Sequence, residues 1–486
     1  MSAQFILLFT RYLEYVLNWH YCITSVINSF HRQKHLSLGI SKSHLFHRFS
    51  VYLSKPVHPS SLGLFRILFG FTLFVQTAYF IATDFVQTHI TEPIIHFQYH
   101  FFQFVVPLPD PIMQILMWMM IVASIMITTG FLYRLGVGLF LIGFSYLWLI
   151  DKGLFNNHYY LITLLLALLL FIRADAWNIS NKTNKKKPIY YIFNWQIFIL
   201  KAQIFIVFFV AGIHKLNPYW LIHLQPMDYI LNAKADISGF EFLRNTAIVA
   251  FFSYGGLIID ILSIFLIWWK RTRTIGIVLL ISFNFLNFWL FWNIGEIGIF
   301  PLLLLSCIVL FLQPDTPARW FGQQLAVSSP SEKPPTLSRL PSAIIISYLA
   351  FQLLFPFRHL LYPGHVDWTG EGQRFAWRMK IMLKEADIDF FIKDNDGNKY
   401  PVEVAKMLSP KQYNNLTYYP DLIPPIARAL KKEALKKGIT NPQVVADFEV
   451  KFMGVHPKQA IVSPNTDLSR VSNHPFFHSK WIEELE

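Results

Sequence analysis

Residues 195–215 read WQIFILKAQIFIVFFVAGIHK, and this stretch decides the fold. At 1.5 Å per residue it is long enough to cross the roughly 30 Å of a bilayer's hydrocarbon. Its interior holds a single lysine, Lys201, and a histidine and a second lysine, His214 and Lys215, close it. Working outward, eight more apolar runs follow the same pattern: Leu62 to Ala82, Pro111 to Phe131, Leu135 to Ile150, His158 to Ile172, Thr246 to Trp269, Ile275 to Trp292, Ile294 to Leu312 and Pro341 to Phe357. Across 486 residues the hydrophobic share is 54%, against 15% charged and 17% aromatic, which excludes an ordinary soluble enzyme and a disordered chain. The expectation is an α-helical multipass membrane bundle of about nine transmembrane helices, followed by a β-rich α+β extracytoplasmic domain. The aromatic segment Phe97 to Val106 is too short to span and reads as re-entrant or interfacial.

Charge supplies the orientation. The formal net charge is +13, and the first 357 residues carry nearly all of it, since Arg358 to Glu486 holds 18 Lys and Arg against 16 Asp and Glu. The basic residues sit in alternate loops: Lys42, Arg48 and Lys55 before the first span, Arg134 after the second, Arg173, Lys182, Lys185, Lys186 and Lys187 after the fourth. Lys270, Arg271 and Arg273 follow the sixth, and Arg319, Lys333 and Arg339 the eighth, while Thr83 to Asp110 holds neither Lys nor Arg. Positive residues stay on the cytoplasmic side, so the N-terminus is expected in the cytoplasm and everything after Phe357 outside it. Basic residues in loop clusters, without interleaved aromatics on one face, argue against nucleic acid as a partner; the bilayer is the partner implied. Three regions follow: 1–54, an N-terminal segment in which Phe5 to Phe30 reads as an amphipathic interfacial helix; 55–357, the membrane domain; and 358–486, the extracytoplasmic domain.

The tail reads differently. Alternation in Asp387 to Phe390, then Asn395-Asp396-Gly397, then Tyr400 to Val404 predicts a β-hairpin, with a helix Pro424 to Lys437 and a strand Val444 to Phe452 to follow. The Asp-x-Asp-Gly of the turn lacks the later Glu of a calcium loop, and no metal is expected.

Ionisable residues inside spans are expensive to bury and mark sites. Lys201 and Lys215 lie fourteen residues apart, close to four helical turns and so roughly on one face. Asp260 is expected at the depth of Lys201, as a structural intramembrane pair or, alternatively, a proton relay. Lys215 and His158 come to the same outer side. A lysine and a histidine at one depth beside apolar walls can do acid/base chemistry, because a desolvated ammonium gives up its proton more easily; a snorkelling lysine and an interfacial histidine are the plain alternative.

The stretch Gln203 to Trp220 (QIFIVFFVAGIHKLNPYW), with Asn157-His158-Tyr159-Tyr160, Gly255-Gly256 to Asp260, Trp368 to Met379 (WTGEGQRFAWRM) and the opening Lys55 to Gly70, resembles the vitamin K-dependent γ-carboxylase family and its horizontally transferred transmembrane domain. The resemblance implies carboxylation of glutamate side chains in a protein or peptide substrate, driven by oxidation of vitamin K hydroquinone to its epoxide with O2 and CO2. It implies Lys215 as the base toward the hydroquinone, with His158 and His359 handling or orienting protons. His214, Asn284 and Asn287 are implied near the cofactor, and Trp368, Trp377 and Arg378 near the substrate glutamate. Asn284 stands where animal members carry a histidine. Asparagine cannot titrate near neutrality, so a hydroquinone epoxidase without carboxylation is an alternative, as is a non-enzymatic membrane protein that keeps the fold.

Overall fold

The computed structural model describes residues 42–178, 191–294, 297–322, 337–472 and 474–486. The expected interfacial helix Phe5 to Phe30, and Lys182, Lys185, Lys186, Lys187 and Lys333, lie outside the described residues. Met1–Val51 forms a unit by itself, with helix from Lys42 onward, and Tyr52–Glu486 forms the other.

This protein is an integral membrane protein, mostly helical, and among the described residues six helices are long and apolar enough to cross a bilayer. In chain order the membrane-region helices are α1 (Ser60–Ala82), α2 (Asp110–Thr129), α3 (Tyr133–Leu149), α4 (Asn157–Leu169), α5 (Asn194–His214), α6 (Met227–Ser238), α7 (Thr246–Trp268), α8 (Arg273–Phe291), α9 (Phe300–Ile308) and α10 (Arg339–Leu354). Every expected span coincides with one of these; α3, α4 and α9 are shorter than the other six once α10 is taken with the 3-10 turn that carries it on to Leu361. Helices α1 to α4 pack each on the next; α5 packs on α7 and α10, α7 on α8, and α9 closes the arrangement by lying against both α8 and α1.

Local chemistry sets the joints. Helix α2 stops at Gly130 (φ 79°), whose N–H returns to Met126 O at 2.9 Å. A side chain there would collide with the fully buried Arg66 of α1, because a Cβ would fall 1.9 Å from its guanidinium; only glycine meets both demands. Asn156 caps α4 and Asn245 caps α7. Segment Phe97 to Val106 forms no helix, and Phe97 is buried in the core of the extramembrane domain.

That domain holds the four antiparallel strands β1 (Lys384–Lys393), β2 (Lys399–Val402), β3 (Gln443–Phe452) and β4 (Lys458–Ala460), in the order β2-β1-β3-β4, with helices α11 (Pro410–Tyr418) and α12 (Ile423–Lys436). Strand β3 alternates as a half-buried strand must, sending Val444, Ala446, Phe448, Val450 and Phe452 inward. Helix α12 presents Ile423, Ile426, Ala427 and Leu430, one helical stripe, to the same core. In the expected hairpin turn, Asp394 Oδ1 accepts from the backbone N–H of Asp396 and of Asn398, both at 2.9 Å, so its carboxylate organises the turn itself.

The domain docks on the loop before α4. Ser409 and Gln412 form a capping box at the start of α11, and the same fully buried Gln412 donates from Nε2 to Asp151 Oδ2 at 2.6 Å and to Ile95 O at 2.8 Å. Asn415 Nδ2 donates to Gly153 O at 2.6 Å, and Lys152 Nζ meets Asp421 Oδ2 at 2.6 Å. Burial pushes the Asp151 carboxyl up to about 7, against the pull of the donors around it.

Candidate active site

A cavity of about 710 Å³ lies where the membrane helices meet the extramembrane domain. Its apolar wall comes from α5, α7 and α8 through Phe208, Phe252, Ile259, Leu286 and Leu290. Its polar side collects Asn157 and His158 at the start of α4, Asn287, Gln373, Arg378, Lys380, and Lys411 and Asn414 of α11. Such a chamber suits a ligand with an apolar body and a polar head.

Lys215 opens into this cavity from the last turn of α5. Its Nζ lies 2.6 Å from Asp260 Oδ2, and the two side chains are 9% and 7% exposed, so the charges are taken out of water together. The ammonium also sits 4.7 Å from the centre of the Trp220 ring. Trp220 is held by Asn217, whose Oδ1 accepts the Trp220 N–H while its Nδ2 donates to His214 O, and by its own indole N–H, given to Ser253 O at 3.0 Å. A Cβ on Gly256 would lie 3.9 Å from both Lys215 Nζ and Trp220; a larger residue there would fill the space in front of the ammonium.

The pairing corrects the sequence expectation. Asp260 meets Lys215, not Lys201, whose Nζ lies 5.5 Å from the Phe311 ring centre. The cause is the register of α5 on α7. Gly212 packs so tightly that a Cβ would fall 2.5 Å from Ile261 Cγ1, which brings the end of α5 level with Asp260. Lys201, fourteen residues before Lys215, is then close to four turns back along α5, about 21 Å away along the axis.

The other expected residues separate into those on the cavity and those behind it. His158, Asn287 and Arg378 line it. Gly298 (φ 56°) closes over the histidine, since a Cβ there would be 3.1 Å from His158 Nε2. Arg378 grips the buried Asp367 with two bonds, Nε to Oδ1 at 3.1 Å and a second nitrogen to Oδ2 at 2.5 Å, and turns its third nitrogen to His214 Nδ1 at 3.1 Å. His214 thus stands behind the cavity, packed on His359 with ring centres 5.1 Å apart. His359 is turned to the backbone, its Nδ1 3.0 Å from Pro356 O.

Three residues take structural places. Asn284 gives its amide N–H to Leu280 O of its own helix at 2.7 Å. Trp368 lies in the core of the extramembrane domain with its indole N–H on Glu483 O at 2.7 Å, and Trp377 stacks on Tyr160 with ring centres 5.0 Å apart. Lys384, buried at the start of β1, donates to Trp368 O at 2.7 Å, and burial brings its ammonium down to about 7. Sequence reasoning passed over Gln373, although it lies inside the Trp368 to Met379 motif, and Lys380 just beyond that motif; it also passed over Lys411 and Asn414, which no span or motif marks and which the docking of α11 brings to the cavity.

Two acceptors on this surface, Asn157 Oδ1 and Gln373 Oε1, are buried without a hydrogen-bond partner. A buried orphan acceptor costs about 1–3 kcal/mol, and a ligand hydroxyl or amide N–H would relieve it. Among the described residues no group of three or more His, Cys, Asp and Glu is placed to hold a metal.

Residues 54–316 match the family model of the HTTM domain, and residues 337–486 that of the vitamin K-dependent gamma-carboxylase, lumenal domain. The chain belongs to the vitamin K-dependent gamma-carboxylase family. The first match takes in α1 to α9 and the Lys215–Asp260 pair; the second takes in α10, Arg378 and the whole sheet. No solved structure matches the chain.

Proposed function

We propose that this family member is a vitamin K hydroquinone-dependent γ-glutamyl carboxylase that also forms the quinone epoxide, working at the cavity around Lys215. The observation that carries this reading is the Lys215–Asp260 pair facing a chamber with an apolar wall and a polar head region. The lining suits the hydroquinone: Phe208, Phe252 and Leu290 would hold its apolar body, and Lys215, Asn287 and the orphan acceptors would meet its hydroxyls. Bound there with oxygen, vitamin K hydroquinone supplies the oxidation whose product is basic enough to take a glutamate γ-proton.

The protein's own part is proton handling and orientation. The pair is neutral as a whole, so it can accept one proton: Asp260 takes it at a carboxylate oxygen while Lys215 Nζ keeps its positive charge toward the cavity. That charge stabilises negative charge developing on a ligand oxygen, an effect strengthened by exclusion of water. His158, at the same cavity, is the candidate to return or relay a proton. His214 and His359 support Arg378 rather than meeting a ligand.

Nine helices cross the bilayer, with α3, α4 and α9 as the short crossings. The N-terminus is cytoplasmic and the extramembrane domain lies on the other side, where glutamate-containing protein, O2 and CO2 meet the cavity. Asn284 favours a second reading, since its amide is spent on its own helix and brings no titrating group to the cavity: epoxidation proceeds and carboxylation does not. Purified protein given vitamin K hydroquinone, a Glu-containing peptide and labelled bicarbonate is expected to yield both epoxide and labelled peptide. Epoxide without label selects the second reading, and full epoxidation by Lys215→Ala would refute the first and second together.

A further inference from the structure

The extramembrane domain ends in an exposed aromatic loop that no part of the proposed chemistry uses. Phe476 and Phe477 are 56% and 69% exposed. Beside them stands Phe101 of the loop between α1 and α2, at 65%, with Phe104 three residues further along that loop at 77%, and Leu361, next to Tyr362 at the end of the last long apolar segment, at 69%. These are one patch. Phe101 and Phe476 have ring centres 5.9 Å apart, His100 and His474 4.5 Å, and Tyr362 gives its hydroxyl to Pro475 O at 2.6 Å.

Its chemistry is that of a membrane-facing surface. Neither Phe97 to Pro109 nor Val471 to Phe477 contains a single Asp, Glu, Lys or Arg, and charge returns only at Arg470 and Lys480 on the two sides of the C-terminal loop. Exposed contiguous apolar area is costly in water and marks a contact surface, and long basic side chains flanking aromatics suit a headgroup boundary. The patch is continuous with spanning segments: α1 leads into the Phe101 loop, α2 leaves it, and Leu361 closes Arg339–Leu361.

We infer that the loop bearing Phe476 and Phe477 inserts into the leaflet that borders the ends of α1, α2 and α10, giving the extramembrane domain a lipid attachment besides its protein docking. Two tethers at separate places restrain a domain against rocking, and this domain carries the Arg378, Lys380 and Lys411 side of the cavity. A second copy of the chain is the competing occupant; continuity with lipid-crossing helices favours the bilayer.

The test uses the full chain with Cys22→Ser, leaving the buried Cys307, in nanodiscs of phosphatidylcholine and phosphatidylglycerol holding one copy each. A nitroxide is placed by Phe477→Cys, by Phe104→Cys as a second site on the Phe101 loop, and by Asp396→Cys at the exposed hairpin tip. The ratio of collision rates with oxygen and with a water-soluble nickel chelate is then read by power saturation. It is expected to be several-fold higher at 477 and 104 than at 396. A ratio at 477 equal to that at 396 overturns the inference, and so does shielding of 477 that develops only in discs holding two copies.

Discussion

Two ion pairs are buried side by side in this protein, and they are built for different work. Asp367 holds Arg378 through two parallel bonds, and the third guanidinium nitrogen is taken by His214. A planar fork so engaged is a fixed strut. Lys215 meets Asp260 through one contact at 2.6 Å, beside a glycine and an aromatic face, with the cavity in front of it. Desolvation is similar in the two cases, since both lie under a tenth exposed. The difference teaches that burial alone does not name a functional pair: what matters is whether a proton or ligand can reach it and whether its geometry has room to change.

The sharpest break is Lys215→Ala, which is expected to lower epoxide and carboxylated product at least about 10³-fold, a loss of the order expected for removing the pair's proton transfer together with its charge. Replacing both members, Lys215→Met with Asp260→Leu, removes the unpaired buried charge and is expected to restore the melting temperature without restoring turnover. Recovery of activity in that double variant would reduce the pair to a structural role.

Next in size is the strut. Arg378→Met leaves Asp367 uncompensated in the interior and is expected to cost about 3–5 kcal/mol, read as a lower melting temperature; Asp367→Asn with Arg378→Met should recover part of it. Asp260→Asn is expected to reduce epoxide formation by about 10²-fold while the protein stays folded, since the amide keeps a hydrogen bond but cannot take a proton.

A smaller effect tests the docking loop. Asp151 binds its proton more tightly folded, near 7, than unfolded, near 3.8. Between these values the folded state holds more protons, so this group's contribution to stability falls as pH rises through the window. Asp151→Asn should flatten that fall in melting temperature between pH 4 and 7. The smallest effect is expected from Lys201→Met, which faces Phe311 and meets neither the cavity nor Asp260; a large loss of turnover there would revive the Lys201–Asp260 relay.

Much of the architecture was legible in one dimension. Every expected span falls on a helix, and the hairpin, the helix at Ile423–Lys436 and strand Gln443–Phe452 lie where alternation and stripe placed them, because hydrophobic periodicity is a local property of the chain. The cavity residues were legible only in part. His158, Lys215, Asn287 and Arg378 could be named from spans and motifs, whereas Trp368 and Trp377, expected at the substrate, are buried and do not line the cavity. A tryptophan's role depends on what stands opposite it, which sequence does not say.

By itself, then, the sequence determined that this chain crosses a membrane, where its helices lie, that a sheet-bearing domain follows them, and which few ionisable groups are buried at a cost. Only the tertiary structure decided which of those groups meet. Gly212 against Ile261 sets the register of two antiparallel helices and brings Asp260 to Lys215 in place of Lys201. Likewise Gln412 on Asp151 docks the helix that carries Lys411 and Asn414 to the cavity. Both are contacts between residues far apart along the chain, and such pairings arise from close packing in three dimensions, which no local pattern encodes.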